Sequence, residues 1–203
     1  MSELKTKVCD IINRDCLVYS ILGDFGDENK RKIREIQEEI NKKFEGLIWK
    51  TPPEALHITL LVWINSWIDN LTNGDEIFEK LFPDYNEALD NILKKYTPVK
   101  IEFNKIEATK DAIILIGKDN GEFQKIRSEF IKKTSIGEKI KQPKIIHSTI
   151  ARFQKEYDLE EVNEFLKTFS IAFNETIERF KLPRETKKPM LEYEIKKHYN
   201  LAR

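Results

Sequence analysis

The chain has 203 residues, 40% of them hydrophobic and 34% charged, so it is long enough to bury a substantial core and too apolar to be mainly disordered. Its 35 Lys and Arg residues balance 35 Asp and Glu, which excludes a polyanion binder that works through a long-range positive field and leaves nucleic acid only a local site to bind. Two cysteines, Cys9 and Cys16, are too few for a disulfide framework or a zinc knuckle and point to a reducing compartment.

Residues 1–7 mix charges and lack an apolar segment, so no secretory leader is expected. The longest apolar run, residues 58–64, is far short of a membrane span, and the chain reads as a soluble cytoplasmic protein. Residues 16–22 are apolar and β-branched and end in the turn-rich cluster of residues 23–27, which predicts a first strand. From Asp27 as N-cap, Ile33, Ile36, Ile40 and Phe44 recur at helical spacing. Pro52 and Pro53 block a continuation, and residues 56–63 are too short and too β-prone for anything but a buried strand.

Ile77, Phe78, Leu81 and Phe82, broken at Pro83, and then Ala88, Leu89, Ile92 and Leu93 predict two helical pieces. Val99, Ile101 and Phe103 alternate with polar residues, and residues 112–116 form an apolar run ending at Gly117, which predicts a hairpin. Phe123, Ile126 and Phe130 mark another helix, residues 145–150 a strand after Pro143, and Leu159, Val162, Phe165, Leu166 and Phe169 a last helix after Asp158. Alternations at residues 177–182 and 191–195 predict two closing strands. Strand often follows strand, so the expected class is α+β with antiparallel pairing, and no linker divides residues 1–203 into separate domains.

One short echo runs through the chain. Pro53-Glu54-Ala55-Leu56-His57-Ile58-Thr59-Leu60 and Pro143-Lys144-Ile145-Ile146-His147-Ser148-Thr149-Ile150 both read proline, three residues, His, any residue, Thr, aliphatic, and they hold two of the three histidines. On a strand, side chains alternate between faces, so each copy offers an imidazole and a hydroxyl on one side and aliphatic residues on the other. Two imidazoles in one cleft suit phosphodiester chemistry, because a neutral ring can take a proton while a charged ring gives one near neutral pH. The hydroxyls of Thr59 and Thr149 can donate to phosphate oxygens, and none of this requires a metal. Neither cysteine lies near a His-x-Thr strand in sequence, and His198 is in a charged tail segment, so a zinc site is disfavoured.

Paired His-x-Thr strands in a chain of this size resemble the two-histidine (2H) phosphoesterases, which include 2',3'-cyclic nucleotide phosphodiesterases and the enzymes called 2'-5' RNA ligases. The second copy runs on into Ala151 and Arg152, similar to that family's second motif, and the segment from Leu182 through Tyr193 resembles its closing hairpin. The resemblance implies a bilobal α+β fold of two antiparallel sheets with outer helices, related by a pseudo-twofold axis, with one motif from each lobe facing a central cleft. It also implies metal-free cleavage of a cyclic or 2'-5' phosphodiester on nucleotides or RNA ends; no cofactor is expected, and a monomer is expected apart from the resemblance. The first copy departs from the pattern, since Leu60 is followed by Leu61, Val62 and Trp63, with no arginine.

The expected catalytic residues are therefore His57, His147, Thr59 and Thr149. We take His57 as the acid and His147 as the base, a choice that stays open because the sequence does not orient the substrate. Arg152 follows Thr149 by three positions and would face away from it on a straight strand, so a role in phosphate binding requires a bulge or the end of the strand. Tyr19 and Tyr193, and beyond them Trp49 and Trp63, are candidates to stack on a base, and the basic run at residues 139–144 is a candidate for a phosphate chain. Cyclic di- or oligonucleotide messengers are an alternative substrate class, and a noncatalytic nucleotide-binding module is the alternative to an enzyme.

Overall fold

The computed structural model describes residues 4–65, 73–134, 136 and 140–202. Its elements follow the apolar patterning. Strand β1 (Asp15–Asp24) is followed by helix α1 (Asp27–Lys43), which has Gly26 at its N-cap, places Asp27 and Glu28 in its first turn and Lys42 and Lys43 in its last, and buries Ile33, Gln37 and Ile40. A short strand β2 (Ile48–Lys50), which the sequence pattern does not reveal, leads to a 3-10 turn at Pro53–Ala55 and into β3 (His57–Asn65). After α2 (Gly74–Leu93) come the hairpin β4 (Val99–Ala108) and β5 (Ala112–Lys118), helix α3 (Glu122–Thr134) and β6 (Ile146–Phe153). Helix α4 (Leu159–Leu166) starts at Asp158, whose carboxylate accepts the N–H groups of Glu160 and Glu161, and the chain closes with β7 (Phe173–Ile177), β8 (Arg179–Lys187) and β9 (Glu192–Asn200).

The strands form two wholly antiparallel sheets. Sheet 1 has the order β3-β1-β8-β9 and sheet 2 the order β2-β6-β5-β4-β7, so one His-x-Thr strand belongs to each and the architecture is the expected two-lobed α+β. Helix α2 covers sheet 1 and α4 covers β4 of sheet 2, while the other two helices cross over: α1 packs on β6, and α3 packs on α2 and β3. One hydrophobic cluster runs through both sheets, from Ile21 and Trp63 to Leu115 and Phe153. No helix among the described residues is long and apolar enough to cross a membrane.

Two expectations are corrected. Residues 77–93 form one helix that continues through Pro83, because Phe78 on one side and Tyr85, Leu89 and Ile92 on the other keep one buried face against sheet 1, and that shared burial outweighs the hydrogen bond lost at the proline. The alternation at residues 177–182 is not one strand: β7 ends at Ile177 in sheet 2 and β8 begins at Arg179 in sheet 1, so a continuous pattern hides a change of sheet.

Candidate active site

His57 is the first residue of β3, and the 3-10 turn before it sets its ring. The Ala55 carbonyl lies 2.7 Å from Nδ1, so Nδ1–H donates there and Nε2 is left as the nitrogen available to a ligand. Thr59 shares its face, opposite Leu22 of β1 as His57 is opposite Asp24. On β6, His147 and Thr149 likewise share a face, with Thr149 opposite Ile114. The two motifs have the same local irregularity. Leu60 is an extra residue between Thr59 and Leu61 in the pairing with β1, and Ile150 is an extra residue between Thr149 and Ala151 in the pairing with β5.

These bulges change which side chains face the cleft. Because Ile150 is skipped, Arg152 pairs with Ala112 and returns to the face of His147 and Thr149, the condition its sequence position imposed. The equivalent residue three positions after Thr59 is Val62, so the guanidinium comes from sheet 2 alone. Each bulge is held by a buried polar side chain from the helix that crosses over to it. Arg127 of α3, 3% exposed, donates from Nε to the Leu60 carbonyl at 2.7 Å and from Nη2 to the Thr59 carbonyl at 2.9 Å. Gln37 of α1, 2% exposed, donates from Nε2 to the carbonyls of Ile150 at 2.7 Å and Thr51 at 2.8 Å. Gln142 closes the outer edge of β3: its Oε1 accepts the Val62 N–H and its Nε2 donates to the Val62 carbonyl.

A cavity of about 150 Å³ brings the two sheets' groups together, with His57, Thr59, Ser20 and Glu185 from sheet 1 and Arg152 from sheet 2 in its wall, and Lys188 and Met190 of the β8–β9 turn beside them. The Nε of Arg152 and the Oδ1 of Asn65, both buried and without a hydrogen-bond partner among the described residues, belong to residues of the same wall. A larger hollow of about 680 Å³, where Phe25 and Gly26 meet Ile177 and Leu201, contains neither motif, whereas the smaller cavity has His57 and Thr59 of the first motif and Arg152 of the second strand in its wall, and His147 and Thr149 outside it.

Burial pushes both imidazoles below their ordinary pKa, but their surroundings differ. For His57 the Ala55 carbonyl and the Glu185 carboxylate work against that lowering, while Lys181 and Lys188 add to it. For His147 the Ile145 carbonyl opposes the lowering, although Nδ1 is buried with no hydrogen-bond partner within reach among the described residues, and the positive charges of Arg127 and Arg152 add to it. Of the two rings, His57 is the one with an acidic neighbour.

The aromatic candidates separate. Tyr19 is 2% exposed on the far face of β1, stacked on Phe78 with centroids 3.8 Å apart and donating its hydroxyl to Asp75 at 2.5 Å, so it does not reach the cleft. Trp63, at the second bulge of β3, is equally buried, stacked on Phe130. Tyr193 is half-buried opposite Glu185, under the Lys181 ammonium at 5.1 Å, on the cleft face of β9. Trp49, half-buried and paired with Arg152, shares its face at the other rim. In the basic run, Lys141 and Lys144 are exposed and Lys139 lies outside the described residues. His198 is exposed on β9 and both cysteines are free thiols. Among the described residues no three His, Cys, Asp or Glu side chains form a cluster that could hold a metal ion.

No protein-family model and no curated protein matches the sequence. Solved structures do. The protein TT0787 of Thermus thermophilus superposes with a TM-score of 0.66 at 16% identity, over 91% of this chain and 97% of that one. LigT of E. coli superposes with a TM-score of 0.58 at 10% identity, over 94% of this chain and 100% of its own, and a protein described as a phosphoesterase with 0.55 at 12%, over 92% and 99%. The chain has the two-histidine phosphoesterase fold. In this chain Val62, Glu185 and Lys188 belong to the cavity wall beside His57 and Thr59. Sequence reading missed Glu185, Lys188 and Arg127 because none has a spacing relation to the His-x-Thr motifs; they arrive through β8, its turn and a crossing helix.

Proposed function

We propose that this protein is a metal-independent phosphodiesterase that acts on 2',3'-cyclic or 2'-5'-linked phosphodiesters of nucleotides or RNA ends. The observation that carries this reading is the equivalence of the two bulged His-x-Thr strands, from different sheets, with Arg152 of one reaching the cavity wall that holds His57 and Thr59 of the other. In the reaction, neutral His147 takes a proton from water as its oxygen bonds to phosphorus. The opposite P–O bond breaks, and protonated His57 gives its Nε2 proton to the leaving oxygen. Glu185 supports this direction, because it favours the charged form of His57, whereas Arg127 and Arg152 favour neutral His147. Thr59, Thr149 and Arg152 donate to the phosphate oxygens as charge builds on them.

The cavity is smaller than a typical pocket for a whole ligand, so it holds the phosphodiester and leaves the base outside, with Trp49 and Tyr193 at the two rims as stacking surfaces. LigT, with the same fold, has been crystallised with 3'-AMP, which fits a nucleotide as the substrate class. The deciding test is chromatography of 2',3'-cyclic nucleotides incubated with the protein in EDTA, beside His57→Ala and His147→Ala. Conversion to one monophosphate isomer, reduced about 100-fold or more in either variant, is the expected result. Equal turnover in all three proteins would reject the two-histidine mechanism, and dependence on added metal would reject its metal independence.

A further inference from the structure

Arg152 supplies a cation from sheet 2 and Val62 supplies none from sheet 1, yet the cavity wall contains a second positive group, Lys188, from the turn joining β8 and β9. Resting on the phosphodiester reading above, we propose that Lys188 is a substrate-binding residue whose ammonium binds a non-bridging phosphate oxygen, replacing the cation that the first motif lacks.

The backbone of Lys188 is fixed on both sides by the N-terminal segment. Its N–H donates to the Arg14 carbonyl at 2.9 Å and its own carbonyl accepts the Asn13 N–H at 2.8 Å, while Ile11 of the same segment forms part of the cavity wall. The side chain thus starts from a set position at the cavity and needs only rotamer changes to reach a ligand. An ammonium has three N–H donors, and here one is engaged, by Glu185 Oε2 at 3.1 Å; among the described residues no other acceptor is bonded to it. Glu185, 4% exposed, is held by the Met190 N–H on its other oxygen at 2.6 Å, so the carboxylate stays in place while the ammonium pivots about it.

Charge points the same way. With His57 protonated, as the reaction requires, the charged residues of the wall are His57, Arg152 and Lys188 against Glu185, a sum of +2 facing the single negative charge of a phosphodiester. Without Lys188 the sum falls to +1, so the ammonium strengthens the attraction for an anion and does not create it. If Lys188 only neutralised Glu185, its removal would change stability and nothing else.

Calorimetric titration of inorganic phosphate into wild type, Lys188→Met, Lys188→Arg and the double variant Lys188→Met with Glu185→Gln separates the two roles. The double variant removes the ion pair without leaving a buried carboxylate unpaired. Phosphate affinity about tenfold or more weaker in both Met variants, with most of it kept by Lys188→Arg, is the expected result, since one charge-assisted hydrogen bond is lost. A double variant that folds and binds phosphate as wild type does overturns the inference, as does a wild type that binds no phosphate at millimolar concentration. Lys188-dependent phosphate binding without hydrolysis of any cyclic nucleotide upholds the inference and rejects the phosphodiesterase reading instead.

Discussion

Arg127 donates its Nε–H to the Leu60 carbonyl at 2.7 Å, reaching from a helix between β5 and β6 of sheet 2 to the bulge of a strand in sheet 1. The bulge lies at two carbonyls, those of Thr59 and Leu60, and one planar guanidinium bonds to both. Arg127→Met is expected to destabilise the fold by about 2–5 kcal/mol, because two buried acceptors lose their donors, and Arg127→Lys should recover less than half of that, since a single ammonium lacks the fork geometry. Urea denaturation measures both. A loss under about 0.5 kcal/mol for the Met variant would show that the bulge holds itself.

The opposite bulge makes a milder prediction. Gln37 donates to the Ile150 carbonyl, but that carbonyl also accepts the Thr51 N–H at 2.9 Å, so Gln37→Met leaves only the Thr51 carbonyl without a partner. A loss of about 1–3 kcal/mol is expected, smaller than for Arg127→Met, from the same denaturation series.

Arg152 faces the cavity with its Nε unpartnered, so its substitution should be read mainly in substrate binding. Arg152→Ala is expected to lower kcat/KM for a 2',3'-cyclic nucleotide by about 10- to 100-fold, with Arg152→Lys intermediate, while thermal stability changes little because no protein hydrogen bond of that nitrogen is broken. Steady-state kinetics with a melting curve tests the pair of statements together.

Both imidazoles are pushed below their ordinary value by burial, and the consequence for activity and stability has a definite sign. In the free protein the base His147 stays neutral below pH 6.5 and the acid His57 gives up its proton there too, so the kcat/KM profile should be a bell centred on the acid side of about 6.5. For stability, the unfolded chain binds protons at these histidines before the folded one does. Their contribution is therefore complete above the unfolded value of about 6.5 and is lost as pH falls through and below it. Melting temperatures between pH 7.5 and 5 should fall on acidification, and fall less steeply in His57→Gln or His147→Gln; an unchanged slope in both variants would contradict the assignment.

Gly117 pairs with Ile146, one residue before His147, and a Cβ there would lie 2.6 Å from Ile101 Cγ2 and 3.2 Å from Ile146 Cγ2. Gly117→Ala is expected to cost about 1–3 kcal/mol through overpacking, measured by denaturation, and to displace the start of β6 enough to reduce activity as well.

The periodicities of the chain place β1, α1, β3, β4, β5, α3, β6 and α4 close to where they form, because each buries one face and local spacing shows which. The repeated His-x-Thr pattern also identifies, before any coordinates, the four side chains that the two strands present on one face each, since alternation along a strand is a local property. Arg152 was legible only as a condition, because a bulge depends on where the neighbouring strand pairs and not on the bulged residue. Tyr19 shows the limit of reading aromatics singly: it lies next to cleft-facing Ser20 in sequence and on the opposite face of the sheet, under α2. The β7–β8 change of sheet, the crossing of α1 and α3, and the arrival of Glu185 and Lys188 beside His57 depend on contacts between residues far apart in the chain. Such contacts are selected by the burial of the whole core and leave no period in any one segment, which is why they become visible only when both sheets are packed together.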